Sequence, residues 1–260
     1  MVKSIVCIKY AIDINQLRLD STSKAPVAKG VARRISDIDK NAIEEAVRMK
    51  EKHGGEVVVL TVGPPEAKEA LREALAIGAD QAYLITDPSF ENLDTGGVSA
   101  VLASAASKLG SYDLILTGEA TVDSFSSQVG PRLAEHLTIP QVTYARKLAY
   151  ENGKITAERD LEDSHEVVET NTPALVTVTK EMNTPRFPSL MAILAASKKE
   201  IKTLSTADLS VPADVLKPSI EILEIVAPEV KRKGIIIRDK PAVEMANELA
   251  QIILKERVGG

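Results

Sequence analysis

The stretch Thr117-Gly118-Glu119-Ala120-Thr121-Val122-Asp123-Ser124-Phe125-Ser126-Ser127-Gln128-Val129-Gly130-Pro131 is the part of the chain best equipped for chemistry. It follows the aliphatic run Tyr112 to Thr117, and the residues behind it predict a helix from about Ser126 to His136. Small polar residues entering a helix offer backbone N–H groups and hydroxyls to a phosphate. In a parallel sheet, ligands sit outside the carboxyl ends of the strands, where such a loop would lie. A loop that only caps its helix accounts for the same residues, because Ser and Asp are common N-caps.

Other chemistries lack their residues. No phosphate loop ends in Gly-Lys-Ser or Gly-Lys-Thr, no G-x-G-x-x-G turn occurs, and no hydrolase nucleophile motif is present. His53, His136 and His165 stand apart without metal-ligand spacing, so each reads as a surface or helix-end residue. Cys7, the single cysteine, excludes an internal disulfide and a cysteine-based zinc site, and predicts a reducing cytoplasm and no metal.

These residues need a frame, and the aliphatic runs supply one. Ser4 to Tyr10, Glu56 to Val62, Gln81 to Thr86 and Tyr112 to Thr117 read as strands buried on both faces, at the spacing of βα units. Between them, the apolar positions Ala42, Ile43, Ala46, Val47 and Met49 predict a helix from Asp39 to His53, which Gly54-Gly55 stops. A second helix is expected over Ala67 to Ala76, started by Pro64-Pro65 and closed by Gly78, and a third from near Thr95 to Gly110. Past Pro140, Val142 to Tyr150, Lys154 to Asp160 and Ala174 to Lys180 read as strands with antiparallel pairing. The tail carries Pro and Lys, then a helix from about Ala242 to Lys255.

The fold expected is therefore α/β, a largely parallel sheet flanked by helices, with an antiparallel strand extension and a C-terminal helical arm. Residues 1–212 form the α/β domain and 213–260 the arm. With 260 residues, 44% hydrophobic and 27% charged, the chain reads as globular. A formal charge of −5 without long blocks of one sign argues against a nucleic-acid partner. The short apolar run ahead of Lys9 does not make a secretory signal, and Leu190 to Ala196 is too short to insert in a bilayer.

The order G-E-A-T-V-D-S-F-S-S-Q-V-G resembles the adenine-nucleotide loop of electron-transfer flavoprotein beta subunits, G-x-x-A-x-D-x-D-x-x-Q-x-G. The resemblance continues in Ile8-Lys9, Ala46-Val47-Arg48-Met49-Lys50, Val62-Gly63-Pro64 and Ala74-Leu75-Ala76-Ile77-Gly78-Ala79-Asp80. Arg159, Glu162, Asp163, Glu166, Val168, Pro173, Leu175, Val176 and Thr177 are similar to the family's second signature, from which Ser164 departs. Asn183-Thr184-Pro185-Arg186-Phe187-Pro188-Ser189-Leu190, followed by Lys198-Lys199, resembles the loop that grips partner dehydrogenases, with Leu190 at the anchoring leucine. The bland account of Leu190 is an ordinary exposed leucine.

The resemblance, over roughly residues 1 to 205, implies a fold of the adenine-nucleotide hydrolase-like superfamily and a heterodimer with an alpha subunit that carries the electron-transferring FAD. It implies a nucleotide site built from Cys7, Lys9, Ser36, Asp37, Ile38, Asp39, Val62, and Gly118, Glu119, Ala120, Thr121, Val122, Asp123, Ser124, Phe125, Ser126, Ser127, Gln128 and Val129. Ser124-Phe125 departs from the pattern where a second acidic residue often follows. One branch of the family holds AMP in this pocket as a structural ligand. The electron-bifurcating branch holds a second FAD that accepts hydride from NADH. Asp39, at the end of Arg33-Arg34-Ile35-Ser36-Asp37-Ile38-Asp39, and the pair Asp94-Thr95 resemble features of the bifurcating branch and tilt the expectation towards FAD. Electrons would then pass between dehydrogenases and a quinone or ferredoxin acceptor, with the flavin supplying the chemistry and no catalytic side chain required.

Two other classes compete. A stand-alone adenine-nucleotide sensor predicts a monomer without flavin and leaves the tail and Leu190 without a purpose. An adenylating or ATP-hydrolysing enzyme of the same superfamily carries a Ser-Gly-Gly phosphate loop after its first strand, where this chain reads Tyr10-Ala11-Ile12-Asp13.

Overall fold

Unbroken aliphatic runs flanked by amphipathic segments build alternating strands and helices, and the computed structural model describes them for residues 1–228 and 232–256. The strands are β1 (Val2–Cys7), β2 (Tyr10–Ile12), β3 (Arg18–Leu19), β4 (Pro26–Val27), β5 (Arg33–Ile35), β6 (Gly55–Val62), β7 (Gln81–Ile85), β8 (Leu114–Gly118), β9 (Gln141–Glu151), β10 (Lys154–Asp160), β11 (His165–Asn171), β12 (Ala174–Val178) and β13 (Lys202–Leu204). The helices are α1 (Asp37–His53), α2 (Lys68–Ile77), α3 (Thr95–Lys108), α4 (Val129–Leu137), α5 (Leu190–Lys198) and α6 (Ala242–Glu256).

Nine strands form one sheet in the order β11-β10-β9-β12-β8-β1-β6-β7-β13. From β9 to β13 every pairing is parallel, while β9, β10 and β11 extend the sheet as an antiparallel meander. Two small two-stranded antiparallel sheets, β2 with β5 and β3 with β4, are separate from it. From β1 the chain moves outward through β6 and β7, then returns to the other side of β1 to form β8. This reversal makes the carboxyl ends of β1 and β8 a topological switch point.

Alternate residues of the central strands face opposite layers. Val6, Val57, Val59, Leu114, Leu116 and Val176 pack with α1 and α2, whereas Ile5, Val58, Leu60, Ile115 and Leu175 pack with α3 and α4. Each fully buried aliphatic side chain contributes about 1.5–3 kcal/mol. The strands can therefore hold a rigid rim without aromatic residues.

The structure corrects several expectations. Ala174–Val178 runs parallel to both β8 and β9, because its side chains are buried on both faces and belong to the central sheet. The antiparallel extension instead recruits His165–Asn171, whose alternating exposure fits a half-covered strand. Helix α4 starts at Val129 rather than Ser126, since Phe125 and Ser127 take left-handed φ values of 48° and 53° and cannot continue a right-handed helix. Leu190 opens a helix instead of lying in a loop, because Ser189 caps it by accepting from the Ala192 N–H at 3.2 Å.

The chain divides into two units, Met1–Ile225 and Val226–Gly260. Residues 213–225, assigned to the arm from sequence, thus belong to the first unit, where Leu216 packs on the α3–α4 core and the Ser219 N–H donates to Asp94 at 2.7 Å. The second unit contains α6, none of whose residues is buried. Residues 229–231 and 257–260 of the expected arm lie outside the described residues. Among the described residues, no helix is long and apolar enough to cross a membrane.

Candidate functional site

At the switch point, the first turn of α1 meets the ends of β1 and β8. Burial places the Asp39 carboxylate between two strand ends: Oδ2 accepts from the Lys9 N–H at 2.8 Å and Oδ1 from the Gly118 N–H at 3.1 Å. Burial pushes its pKa up to about 7, against the two backbone donors and the charge of Lys9. The Cys7 thiol beneath it is also pushed up by burial and by Asp39, so it stays a protonated packing group.

The polar loop is fastened to this floor. Lys9 Nζ donates to Asp123 at 2.9 Å, the Ile12 N–H to its other oxygen at 3.4 Å, and Thr121 Oγ1 to Asp123 at 2.8 Å. Burial opposes ionisation of Asp123, yet Lys9 and these donors outweigh it and hold the carboxyl below its ordinary range. The Val122 N–H reaches Ser36 Oγ at 3.3 Å, and Thr121 and Ser124 share a hydroxyl contact of 2.9 Å. Ser36 is fully buried and lends its hydroxyl to the loop rather than to capping α1.

The second wall is the start of α3. Asp94 caps it through the Gly97 N–H at 2.9 Å, which holds its carboxyl below the ordinary range, and Thr95 Oγ1 donates to Gln128 Oε1 at 2.9 Å. Arg132 of α4 lies over this turn, its Nη1 3.0 Å from where a Cβ on Gly96 would stand. Among the described residues, the Arg132 guanidinium makes no ion pair within 4 Å.

The structure thus brings together Cys7, Lys9, Ser36, Ile38, Asp39 and Gly118 to Asp123, with Val62 at the end of the neighbouring β6 and Asp94-Thr95 tied to Gln128. Glu119 sits against Val178 through its backbone, and burial followed by Glu181 raises its carboxyl. Asp37 stands apart: it is exposed and its carboxylate is taken by the Arg34 guanidinium, through Nη1 and, at 3.0 Å, Nη2. Phe125 projects outward, 67% exposed.

A family model described as the electron transfer flavoprotein domain matches residues 27–209. The beta subunit of an electron transfer flavoprotein from Thermoanaerobacterium thermosaccharolyticum is 44% identical over 234 residues, covering 88% of this chain and 90% of that one. The chain belongs to the electron transfer flavoprotein beta subunit family. The beta subunit from Clostridium acetobutylicum is 40% identical over 252 residues, 93% and 94% of the two chains. The caffeyl-CoA reductase-Etf complex subunit CarD of Acetobacterium woodii is 34% identical over 258 residues, 98% of each.

Electron transfer flavoprotein beta subunits pair with an alpha subunit, so the chain is one half of an electron-transferring heterodimer. Two sets of residues outside the polar loop shape this chain. Arg132, which sequence reading passed over, follows the loop by one helical turn and faces the start of α3 at Gly96. Asn41, Glu44, Glu45 and Arg48 share one face of α1, a spacing of three and four that reads as solvated, yet the first three are buried. They hold the segment ahead of α5. Asn41 Nδ2 donates to the Asn183 carbonyl at 2.7 Å, and Asn183 Nδ2 returns to the Asn41 carbonyl at 3.0 Å. Arg186 grips Glu44 through Nε at 2.9 Å and Glu51 through Nη1 at 2.6 Å.

Proposed function

We propose that the chain binds an adenine nucleotide, FAD in preference to AMP, in the crevice over β1 and β8, and works in electron bifurcation with an alpha subunit. The observation that carries this reading is the fastening of one polar loop to Lys9 and Asp39 at the topological switch point. The FAD would accept hydride from NADH and hand electrons on, and the protein's residues would supply position and charge.

The donor set fits a nucleotide phosphate. Arg132 beside the α3 N-terminus supplies a cation next to the Asp94 carboxylate, the Ser126 hydroxyl supplies a neutral donor, and left-handed residues at Phe125 and Ser127 bend the loop backbone. Asp39 would keep the two strand ends at fixed separation beneath the ligand, and Lys9 with Asp123 would hold the loop over it. Thr95, joined to the loop through Gln128, and its neighbour Asp94 extend the polar wall beyond what AMP requires, which supports the dinucleotide.

Leu190 is the docking residue in this reading, presented to dehydrogenases, with a quinone or ferredoxin as terminal acceptor. The name of the CarD relative supports a partner that acts on a CoA thioester. The arm beyond the first unit packs on the alpha subunit, and the lone Cys7 supports a cytoplasmic setting. Mixing the purified heterodimer with NADH under anaerobic conditions tests the reading: the visible flavin absorption should bleach within one turnover. Retention of that absorption would contradict hydride acceptance at this site.

A further inference from the structure

Helix α5 has only Ala196 buried, while Leu190, Met191, Ile193 and Leu194 are between 49% and 74% exposed. A nine-residue helix is shorter than the roughly 12–15 residues that hold alone in water, and where α5 packs against α2 it fully buries only Ala196. Polar clamps at its two ends add to that packing. In front, the Arg186 guanidinium reaches Glu44 at 2.9 and 3.1 Å and Glu51 at 2.6 and 3.0 Å, and its own N–H donates to Glu44 at 3.1 Å. Behind, Arg72 Nη1 of α2 donates to the Ala196 carbonyl at 2.8 Å and to the Lys199 carbonyl, while Lys199 Nζ donates to the Ala79 carbonyl at 2.8 Å.

Only Phe187, Pro188 and Ser189 separate Arg186 from Leu190, and Pro188 fixes its φ. The position of Leu190 is therefore set by where Glu44 holds Arg186. Burial opposes ionisation of Glu44, but Arg186 and Arg48 outweigh it and keep the carboxylate charged, and the Arg186 pKa is raised in turn. The same helix that carries Asp39 in the crevice carries Glu44 and Glu51, so the docking helix is referenced to the nucleotide site through a single rigid element.

We infer that Arg186 and Arg72 are positioning residues that hold α5 outward for a flavoprotein dehydrogenase acting on a CoA thioester. This rests on the docking role of Leu190 proposed above. Removing a clamp leaves the apolar contacts intact but lets the helix wander.

The test uses the heterodimer with a panel of bacterial acyl-CoA dehydrogenases, each reduced with its own substrate, and follows flavin reduction against dehydrogenase concentration. Leu190→Ala and Arg186→Ala should each raise KM about tenfold with kcat changed less than about twofold, the pattern of a lost binding hot spot. Arg186→Lys should recover only part, since lysine cannot bridge two carboxylates bidentately. Amide exchange over residues 190–198 should quicken in Arg186→Ala and Arg72→Ala but not in Leu190→Ala, with nucleotide content unchanged in all. Glu51→Gln, which leaves the buried Glu44 pair intact, serves if Arg186→Ala does not fold, and should show the same direction in KM. A raised KM in Leu190→Ala with none in Arg186→Ala or Glu51→Gln would overturn the clamp alone. An unchanged KM in Leu190→Ala, or no saturation of the wild type by any dehydrogenase of the panel, would overturn the docking reading beneath it.

Discussion

The Gly118 N–H donates to Asp39 Oδ1 at 3.1 Å, and a Cβ on Gly118 would stand 2.6 Å from that same oxygen. Only a residue without a side chain lets the end of β8 close on the carboxylate that also holds Lys9. Strand end, helix start and crevice floor are one contact.

Gly118→Ala should therefore push β8 off α1. Forcing a methyl into packed surroundings costs about 1–3 kcal/mol. The expected outcome is a lowered Tm and a heterodimer that loses its beta-site nucleotide on gel filtration; retention equal to wild type would show that the floor tolerates the shift.

Asp39 also sets a pH dependence. Its carboxyl has a folded pKa raised to about 7 from an ordinary 3.8, so the folded state binds the extra proton between those values. Stability from this group is fully present below about pH 4 and is lost as pH rises through about 7. Urea unfolding of wild type and Asp39→Asn across pH 4 to 8.5 checks this: the advantage of wild type over the variant should shrink with rising pH and level off above about 7.5.

Lys9 and Asp123 form a half-buried pair at 2.9 Å, their side chains 43% and 11% exposed. A double-mutant cycle with Lys9→Met and Asp123→Asn should give a stability coupling of only about 0.5–1 kcal/mol, because the lysine is screened by water. Nucleotide dissociation should respond more strongly, quickening in both single variants by about tenfold if the loop is the ligand's cover.

Deleting residues 236–260 removes α6 and should abolish co-purification with the alpha subunit while the Met1–Ile225 unit keeps its circular dichroism. The physical reason is that Val243, Leu249 and Leu254 of α6 are at least half exposed and need a covering surface. Unchanged co-purification would place the heterodimer contacts elsewhere.

Much of this architecture was legible in the residues. Runs such as Val57 to Leu60 could only be strands covered on both faces, and the helix spacing of Ala42, Ile43, Ala46 and Val47 marked α1 to within two residues of its start. The polar loop and Lys9 were visible as motifs. What escaped were features set by tertiary placement. Ala174–Val178 looks the same whether its neighbour runs parallel or antiparallel, so its pairing with β8 could not be read locally. Phe125 and Ser127 are residues that rarely take left-handed backbone, and nothing in their types announced the delayed start of α4. Glu44 and Glu45 have the composition of a wet helix face, and only the distant Asn183 and Arg186 make them interior.

Which nucleotide fills the crevice decides whether the chain can take hydride from NADH. Co-expressing the chain with an alpha subunit, denaturing the purified heterodimer and quantifying the released FAD and AMP by chromatography measures it directly. Two FAD per heterodimer are expected. One FAD with one AMP would contradict FAD in the crevice, and a monomeric chain without nucleotide would contradict the crevice as a nucleotide site.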